Sequence, residues 1–300
     1  MTALANSIHR LRSGLVFPPV ELVYTAHSAW PYPNDIRPKR PLQISVLDSS
    51  FNPPTLAHLA LANAPRPSYG NSHDYDAKLL LLSVRNADKQ LKPSDATYIQ
   101  RLEMMISLAR DIVSFDEQGE EQKPGNVAVA IVDEPTFVGK SKLLQTFFKE
   151  RTTPIDCRLT FLLGFDTLER FFAPRYYASE GDDAVSRMHI ALRAFFAPQP
   201  EGDDSKVACA RRSPTSYPQS APKPNTPSDT EADSLMSTIQ NFFTTQSLPS
   251  ELVTMIDIGE DVWALSSSDA RGAIGKDETW KEMVPPSVKE YIQREGLYSH

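Results

Sequence analysis

Short apolar runs alternate with helical repeats along most of the 300-residue chain. Near-continuous apolar segments predict buried strands at residues 43–47, 78–84, 126–132, 159–163, 206–210 and 252–258. Apolar residues at helical spacing predict helices near residues 55–64, 95–110, 141–150, from 167 onward, 184–196 and 235–246. Parallel strands need helical crossovers that cover both faces of their sheet. The alternation therefore predicts an α/β fold with a doubly wound parallel sheet.

Proline interrupts this alternation in one long segment. The chain has 25 prolines, and five of them fall between residues 213 and 233, a stretch without Ile, Leu, Val, Met, Phe or Trp. Such a composition cannot bury enough apolar surface to offset its ordering entropy, so it predicts a disordered loop inside the domain. The first forty residues are predicted to form an N-terminal extension, and residues 41–300 to form one domain.

Net charge and cysteine content argue against several classes of protein. The formal net charge is −7, which argues against non-specific binding to nucleic acid or to anionic membranes. No apolar run approaches the length of a membrane span, and the N-terminus lacks the pattern of a secretory signal. Two cysteines without a CxxC spacing exclude a disulfide framework and a Cys-rich zinc site. We expect a cytoplasmic or nuclear protein.

Doubly wound sheets bind ligands at the carboxyl ends of their strands, so the segment after the first predicted strand is a candidate site. It contains neither a GxGxxG nor a P-loop motif. Thr55 and His58 lie one helical turn apart near a helix N-terminus, where main-chain N–H groups, a hydroxyl and an imidazole could bind phosphate. In the alternative interpretation, Asn52 and Thr55 only cap the helix and His58 is half-buried.

The segment SSFNPPTLAHLALA, residues 49–62, resembles the signature of the nucleotidylyltransferase superfamily and is most similar to nicotinamide mononucleotide adenylyltransferases. The resemblance implies a Rossmann-like fold in which His58 contacts the ATP phosphates and stabilises charge as pyrophosphate departs. It assigns further contacts from this segment to ATP, at Ser49, Ser50, Phe51 and Thr55, and one to the mononucleotide, at Asn52. The family usually has Gly where this chain has Ser49.

Two later segments resemble the ATP-binding motifs of the same family. Residues 164–171, GFDTLERF, match a pattern in which Gly164 lets the backbone approach the ligand and Asp166 accepts from ribose hydroxyls. Asp166 could instead be a helix N-cap. After the last strand, the family's serine-rich motif has its counterpart in Ser266, Ser267, Ser268 and Arg271. Serines that open a helix offer donors to phosphate, and an Arg in the first turn can bind the same anion.

Three further segments resemble the parts of the family that bind the mononucleotide. Residues 85–93 are a polar loop that could simply be solvated, but they resemble the acceptor loop, with Lys89 the first choice for the phosphate and Lys92 the second. Arg101 takes the place of the Arg in the helix that follows. Phe137 could stack on the nicotinamide ring, or it could be a hydrophobic staple.

Residues 284–298 resemble the family's last segment and predict a packing helix.

The motifs occur in the family's order from about residue 42 to residue 298, and their sequences most resemble those of fungal members. The resemblance implies transfer of an adenylyl group from ATP to nicotinamide mononucleotide, giving NAD and pyrophosphate, with His58, Thr55 and Arg271 as catalytic residues. Mg²⁺ is expected to arrive with ATP, with no dedicated metal site. Alternatives are another acceptor (nicotinate mononucleotide or phosphopantetheine) and an ATP-binding regulatory protein with little transferase activity. A protein partner at the 213–233 loop and a homo-oligomer stay open.

Overall fold

The computed structural model describes residues 2–32, 39–67, 74–85, 95–115, 121–177, 183–211 and 229–299. Within them the strands are β1 (Val20–Thr25), β2 (Leu42–Asp48), β3 (Ala77–Ser83), β4 (Ser114–Phe115), β5 (Glu121–Gln122), β6 (Val127–Val132), β7 (Cys157–Gly164), β8 (Lys206–Ala210) and β9 (Val253–Ile256). The α-helices are α1 (Ala3–Arg12), α2 (Leu56–Asn63), α3 (Tyr98–Asp111), α4 (Phe137–Lys149), α5 (Phe165–Phe171), α6 (Ala184–Phe196), α7 (Asp229–Gln246), α8 (Ser267–Ala273) and α9 (Pro286–Glu295). Short 3-10 helices cover Pro174–Tyr176, Ser250–Leu252 and Thr279–Glu282.

One seven-stranded sheet organises the domain, in the order β1-β6-β3-β2-β7-β8-β9. All neighbouring strands are parallel except β1, which pairs antiparallel with β6. Without β1, the chain order across the sheet is third, second, first, fourth, fifth, sixth, which is the doubly wound order with a switch point between β2 and β7. The predicted fold class is confirmed.

Helices cover both faces of the sheet, as a near-continuous apolar strand pattern requires. On one face α4, α5, α6 and α7 pack in a phenylalanine-rich core. On the other face α1, α2, α3, α8 and α9 enclose a second core. Alternate residues of a strand serve the two cores: Val46 of β2 belongs to the first and Leu47 to the second. The central strands are therefore buried on both faces, so a ligand can approach them at their carboxyl ends.

The N-terminal region takes part in the sheet rather than lying outside it. Val20 of β1 pairs with Val132 of β6 and is 2% exposed, and α1 contacts both β1 and α3. The boundary predicted at residue 40 therefore does not separate two structural units. The sequence pattern missed β1, because VELVYT mixes charged and apolar residues and is preceded by two prolines.

Several predicted element boundaries are shifted by a few residues, most of all the starts of α4 and α7. Helix α4 begins at Phe137 rather than at residue 141, because the Thr136 hydroxyl caps it by accepting from the Gly139 N–H at 3.1 Å. The loop predicted at residues 213–233 lies outside the described residues as far as residue 228, but α7 begins at Asp229, within the predicted loop. No helix in the described ranges is both long and apolar enough to span a membrane.

Candidate functional site

A cavity of about 710 Å³ opens beside the switch point of the sheet. Its wall is formed by the carboxyl ends of β2 and β3, the segment leading into α4, and residues of α3, α5 and α8. The residues predicted from sequence that line it are Ser49, Ser50, Asn52, Arg101, Phe137, Ser267, Ser268 and Arg271. Three segments far apart in the chain, from the first, middle and last motifs, therefore meet at one cavity.

The turn after β2 is held by a buried aromatic residue. Phe51 has no exposed surface and adopts φ +45°, a region that side chains other than Gly rarely occupy. Its ring centroid lies 5.3 Å from that of His58. Thr55, the N-cap of α2, is likewise without exposed surface. The side chains of Phe51 and Thr55 thus position the turn and His58 and do not line the cavity, and the ATP contacts expected at these two residues stay predictions.

The hydrogen bonds of His58 define its protonation. The Thr55 main-chain N–H donates to His58 Nδ1 at 3.1 Å, and Thr55 Oγ1 lies 2.8 Å from the same nitrogen. Because a main-chain N–H can only donate, Nδ1 is an acceptor and the neutral ring carries its hydrogen on Nε2. Burial lowers the pKa of His58 to about 4, so the half-buried ring is neutral at pH 7. The predicted cap exists, and His58 is part of it.

Ser49 lies next to the other nitrogen of this ring. Its Oγ is 3.0 Å from His58 Nε2. Of these two residues, Ser49 is among those lining the cavity and His58 is not. The hydroxyl therefore stands between the imidazole and the space that a ligand would fill.

The amide of Asn52 joins three parts of the chain. Its Nδ2 donates to Asp95 Oδ1 at 2.7 Å, and its Oδ1 accepts from the Ala96 N–H at 3.2 Å and from the Tyr298 hydroxyl at 2.8 Å. The side chain, predicted as a mononucleotide contact, lines the cavity but is only 4% exposed. These bonds fix the amide, so its main effect is to hold the turn after β2 against the start of α3 and the end of the chain.

The last motif is fastened directly onto the first. The Arg271 guanidinium donates to the main-chain oxygen of Asn52 and to that of Ser267 at 3.2 Å. The Ser267 hydroxyl donates to the Pro53 carbonyl at 2.7 Å. Arg271 also donates to the Ser268 hydroxyl at 3.3 Å, and its guanidinium lies 3.8 Å from the Asp95 carboxylate, which lines the same cavity. The Arg271 side chain is 28% exposed, so its charge can still reach a ligand.

Ser266 differs from the two serines after it. It is the N-cap of α8, and its Oγ accepts from the Asp269 N–H at 3.1 Å and donates to the Asp269 carboxylate at 2.6 Å. It is not among the cavity-lining residues, so its hydroxyl serves the helix. Of the predicted serine contacts in this motif, the structure brings Ser267 and Ser268 to the cavity.

Arg101 is buried at the base of the site. It donates to the Ala96 carbonyl at 2.9 Å and the Ser50 carbonyl at 3.3 Å, and its guanidinium lies 3.7 Å from the Asp95 carboxylate. Desolvation lowers the pKa of Arg101, although Asp95 opposes this effect. Arg101 lines the cavity with only 5% of its surface exposed. It supports the main chain of the first motif from below.

Phe137 and Lys140 occupy the first turn of α4 on the opposite wall. Phe137 is half-buried and packs edge-on against Phe161 and Phe171, with ring centroids 5.9 and 5.8 Å apart. Lys140 Nζ lies 5.0 Å from the Phe137 ring and pairs with the Asp48 carboxylate at the end of β2. Both side chains of this ion pair are more than nine-tenths buried. The aromatic cluster anchors Phe137 while leaving it in the cavity wall.

Gly164 and Asp166, predicted from the segment at the end of β7, do not line this cavity. Gly164 is the exposed N-cap of α5, so the N-cap role considered for Asp166 is wrong, and Asp166 lies exposed in the first turn. Neither is among the described residues that line the cavity, although Gly164 ends β7, the neighbour of β2, and Asp166 follows it by two residues. Lys89 and Lys92 lie outside the described residues. A side chain added at Gly164 would meet open space, so an approach of ligand to its backbone is sterically free.

Sequence reasoning missed the polar residues that hold the motifs together. Asp48 immediately precedes the first motif and Lys140 follows Phe137 by three residues, but their pairing exists only in the folded chain. Asp95 and Tyr298 were likewise not selected, although both bond to Asn52. Buried partners of this kind leave no signal in spacing, because they are more than forty residues apart in sequence.

Comparisons with known proteins place these motifs in context. No protein-family model matches the chain. A Schizosaccharomyces pombe protein named "Putative nicotinamide mononucleotide adenylyltransferase" is 29% identical over 264 residues, which are 86% of each chain.

Two solved structures are similar in shape. Both are Plasmodium falciparum nicotinic acid mononucleotide adenylyltransferase, one complexed with APC and one with NaAD. They are 14% and 16% identical to this chain, with TM-scores of 0.47 and 0.46, and each comparison covers 86% of this chain and 97% of the other. The ordered motifs converge on one cavity, and over 86% of its length the chain is similar to the S. pombe protein that carries the name of a nicotinamide mononucleotide adenylyltransferase.

Proposed function

We propose that this protein joins nicotinamide mononucleotide and ATP to give NAD and pyrophosphate. An oxygen of the mononucleotide phosphate attacks the α-phosphorus of ATP, the new phosphorus–oxygen bond forms, and the bond to the β-phosphate breaks. The acceptor is already an anion, so the reaction needs no protein nucleophile and no strong general base. The protein must hold two anions together and stabilise the charge that develops on the departing pyrophosphate.

One observation carries this proposal: the last motif is hydrogen-bonded to the first at the edge of a single cavity. Arg271 bonds to the main chain of Asn52, and Ser267 bonds to that of Pro53, more than two hundred residues away in sequence. Residues of the first and last motifs that can donate hydrogen bonds to phosphate therefore line one cavity of about 710 Å³. Its size suits a nucleotide together with part of a second ligand, since ligand cavities commonly measure about 300–1,000 Å³.

The two walls of the cavity suggest different ligands. The wall formed by Ser49, Ser268 and Arg271 offers hydrogen-bond donors and suits the ATP phosphates, whereas the Ser267 hydroxyl hydrogen is already bonded to the Pro53 carbonyl. The wall formed by Phe137 is aromatic, with Tyr176 and Tyr177 also lining the cavity, and suits a pyridine ring. Phe137 stacking on that ring is part of the proposal. An in-line attack requires the two ligands to be adjacent, and the two walls share this one cavity.

Mg²⁺ is proposed to arrive with ATP. Over the ranges that the structure describes, no three His, Cys, Asp or Glu side chains come together in a way that could hold a metal ion. ATP phosphates and water can complete an octahedral shell for Mg²⁺, which commonly uses few protein ligands. When bound, the ion would neutralise charge on the β- and γ-phosphates, and Arg271 would add a fixed positive charge from the protein side.

The test measures pyrophosphate release from Mg·ATP with and without nicotinamide mononucleotide, and identifies the dinucleotide by mass. We expect release only when the mononucleotide is present, with equimolar NAD. Nicotinate mononucleotide and phosphopantetheine are tested in parallel as acceptors. A higher kcat/KM with either would replace the proposed acceptor, and ATP binding without release for any acceptor would overturn the proposed reaction.

A further inference from the structure

The hydrogen-bond donor that faces the cavity near His58 belongs to Ser49. Ser49 Oγ lies 3.0 Å from His58 Nε2, and Ser49 lines the cavity. Among the described residues, the hydroxyl has no other hydrogen-bond partner. The serine therefore has bonding capacity left on the side that a ligand would approach.

The direction of this bond follows from the other side of the ring. His58 Nδ1 accepts from the Thr55 main-chain N–H, so the neutral imidazole carries its hydrogen on Nε2. Nε2–H then donates to Ser49 Oγ, which acts as the acceptor. A hydroxyl that accepts through a lone pair keeps its own hydrogen free to donate. Three groups thus form a chain with one direction: Thr55 N–H to His58, His58 to Ser49, and Ser49 towards the cavity.

We infer that the Ser49 hydroxyl donates to a phosphate oxygen of the bound nucleoside triphosphate, and that His58 acts through Ser49 rather than by direct contact. This inference rests on the proposed function, because it assigns the ligand near Ser49 as ATP. It exchanges the roles expected from the family resemblance: Ser49 becomes the catalytic residue and His58 its positioning residue. No proton is transferred, since each group only donates a hydrogen bond, and successive donors strengthen one another.

The competing possibility is that Ser49 obstructs His58. A phosphate could bind Nε2 directly only if the Ser49 side chain moved away, and the hydroxyl would then reduce the reaction rate. The two possibilities predict opposite results for Ser49→Gly, which removes the side chain and opens the space in front of Nε2. A relay requires turnover to fall in this variant, whereas an obstruction requires it to rise.

The experiment compares Ser49→Ala, Ser49→Thr, Ser49→Gly, His58→Ala and the double variant Ser49→Ala/His58→Ala in the full chain. Loss of one fixed donor to a developing anion costs about 10²–10³ in kcat when the donor is optimally placed, so Ser49→Ala is expected to lose roughly 10- to 100-fold or more. Ser49→Thr keeps the hydroxyl and should remain within about threefold of the wild type. KM for ATP should change less than kcat. Melting temperatures establish that each variant is folded.

The double variant distinguishes a relay from two separate contacts. If His58 acts through Ser49, removing both should cost no more than about threefold beyond Ser49→Ala, because coupled groups are not additive. Independent effects that multiply would overturn the inference. Turnover of Ser49→Gly at or above the wild type, or equal losses in Ser49→Thr and Ser49→Ala, would also overturn it.

Failure of the proposed function gives a different result. If the wild type forms no dinucleotide with any acceptor, the reaction is wrong, but ATP affinity measured by calorimetry still tests the contact. Weaker ATP binding in Ser49→Ala, with wild-type affinity in Ser49→Thr, would support the Ser49 contact without the reaction. Unchanged ATP affinity in Ser49→Ala, when no turnover exists, would overturn it.

Discussion

At the scale of single residues, the environment of His58 determines what the imidazole can do. Its Nδ1 is occupied by the cap of α2 and its Nε2 faces Ser49. Since burial lowers its pKa to about 4, the ring contributes a hydrogen bond at neutral pH rather than a positive charge. The positive charge at this wall of the cavity comes from Arg271 instead.

Replacing His58 should affect catalysis more than folding. We expect His58→Ala to lose roughly 10- to 100-fold in turnover, and no more than Ser49→Ala loses, because the imidazole acts by orienting the Ser49 hydroxyl. The measurement is kcat for mononucleotide-dependent pyrophosphate release, with circular dichroism to establish folding. His9→Ala is the matched control, because His9 lies exposed on α1. Near-wild-type turnover of a folded His58→Ala protein would exclude a role for this residue.

The lowered pKa of His58 also predicts a dependence of stability on pH. In the unfolded chain a histidine titrates near 6.5, whereas in the fold this one titrates near 4. Between these values the unfolded state binds more protons, so stability is lost as the pH falls from about 6.5 towards 4. We expect the titration of His58 to make the free energy of unfolding about 2 kcal/mol lower at pH 5 than at pH 7.5.

Urea unfolding at pH 7.5 and pH 5 measures this contribution. The loss of stability between the two pH values should be smaller in His58→Gln than in the wild type, because Gln does not titrate. The other histidines are present in both proteins and cancel in the comparison. An equal loss in both proteins would contradict the burial effect.

Much of the residue-scale site could be predicted from the sequence, and a definite part could not. The spacing of Thr55 and His58 predicted side chains one helical turn apart, and their contact confirms it. Which nitrogen faces the ligand depends on Ser49, and no spacing rule encodes that contact. The hydrogen-bond partners of Asn52 could not be predicted from spacing either, since Tyr298 lies 246 residues away in sequence.

At the scale of elements, the site is assembled by contacts between the ends of strands and the starts of helices. Asp48 at the end of β2 pairs with Lys140 in α4, and both charges are buried. Removing one member of a buried pair leaves an uncompensated charge, which typically costs about 3–5 kcal/mol. Replacing both members by uncharged residues of similar volume is often close to neutral.

We therefore expect Lys140→Met to lower the free energy of unfolding by about 3–5 kcal/mol, and Asp48→Asn/Lys140→Met to recover most of that loss. Chemical denaturation of the single and double variants gives the coupling energy. Lys149→Met, on the exposed surface at the end of α4, is the control and should change stability by less than about 0.5 kcal/mol. Additive effects of the two substitutions would contradict a tight pair.

The end of the chain has a positioning role that the sequence did not predict. Residues 284–298 were expected only to pack, yet the Tyr298 hydroxyl donates to Asn52 in the turn of the first motif. Because burial also raises the pKa of Tyr298, the hydroxyl keeps its proton across the physiological range. The segment after α9 thereby holds a cavity-lining residue in place.

Tyr298→Phe should lower both stability and turnover. Loss of one buried hydrogen bond costs about 1 kcal/mol, and Asn52 Oδ1 keeps only the Ala96 donor. Thermal unfolding and kcat are measured for this variant and for Tyr24→Phe, whose hydroxyl has no hydrogen bond within the described part of the chain. An unaffected kcat with lowered stability would limit Tyr298 to a packing role.

At the scale of the whole molecule, the sequence predicted the six parallel strands of the seven-stranded sheet and missed its antiparallel strand, as well as the short β4–β5 pair. The parallel strands are nearly continuous apolar runs because both of their faces are buried. Strand β1 lies at the edge of the sheet, and five of its six residues are half-buried. Its pattern is therefore mixed, and its partner, β6, could not be read from local spacing.

Removing residues 1–26 should expose the edge of β6 and destabilise the domain. An uncovered strand edge offers unpaired main-chain groups to other chains, so we expect a lower melting temperature and aggregation on warming. Light scattering during thermal unfolding follows both effects. Leu15→Ala, at a side chain 72% exposed, is the control and should behave like the wild type. A truncated protein that remains monomeric and equally stable would show that β1 is dispensable.

The pairing of β1 with β6 also means that β1 is synthesised well before its partner strand. Val20 leaves the ribosome long before Val132, its partner across the sheet. At typical synthesis rates, this interval lasts roughly 5–20 s. During that time the nascent segment VELVYT has no strand beside it, so its main-chain N–H and C=O groups lack their partners in the sheet. Strand β1 can thus be paired only after β2, β3 and β6 have been synthesised.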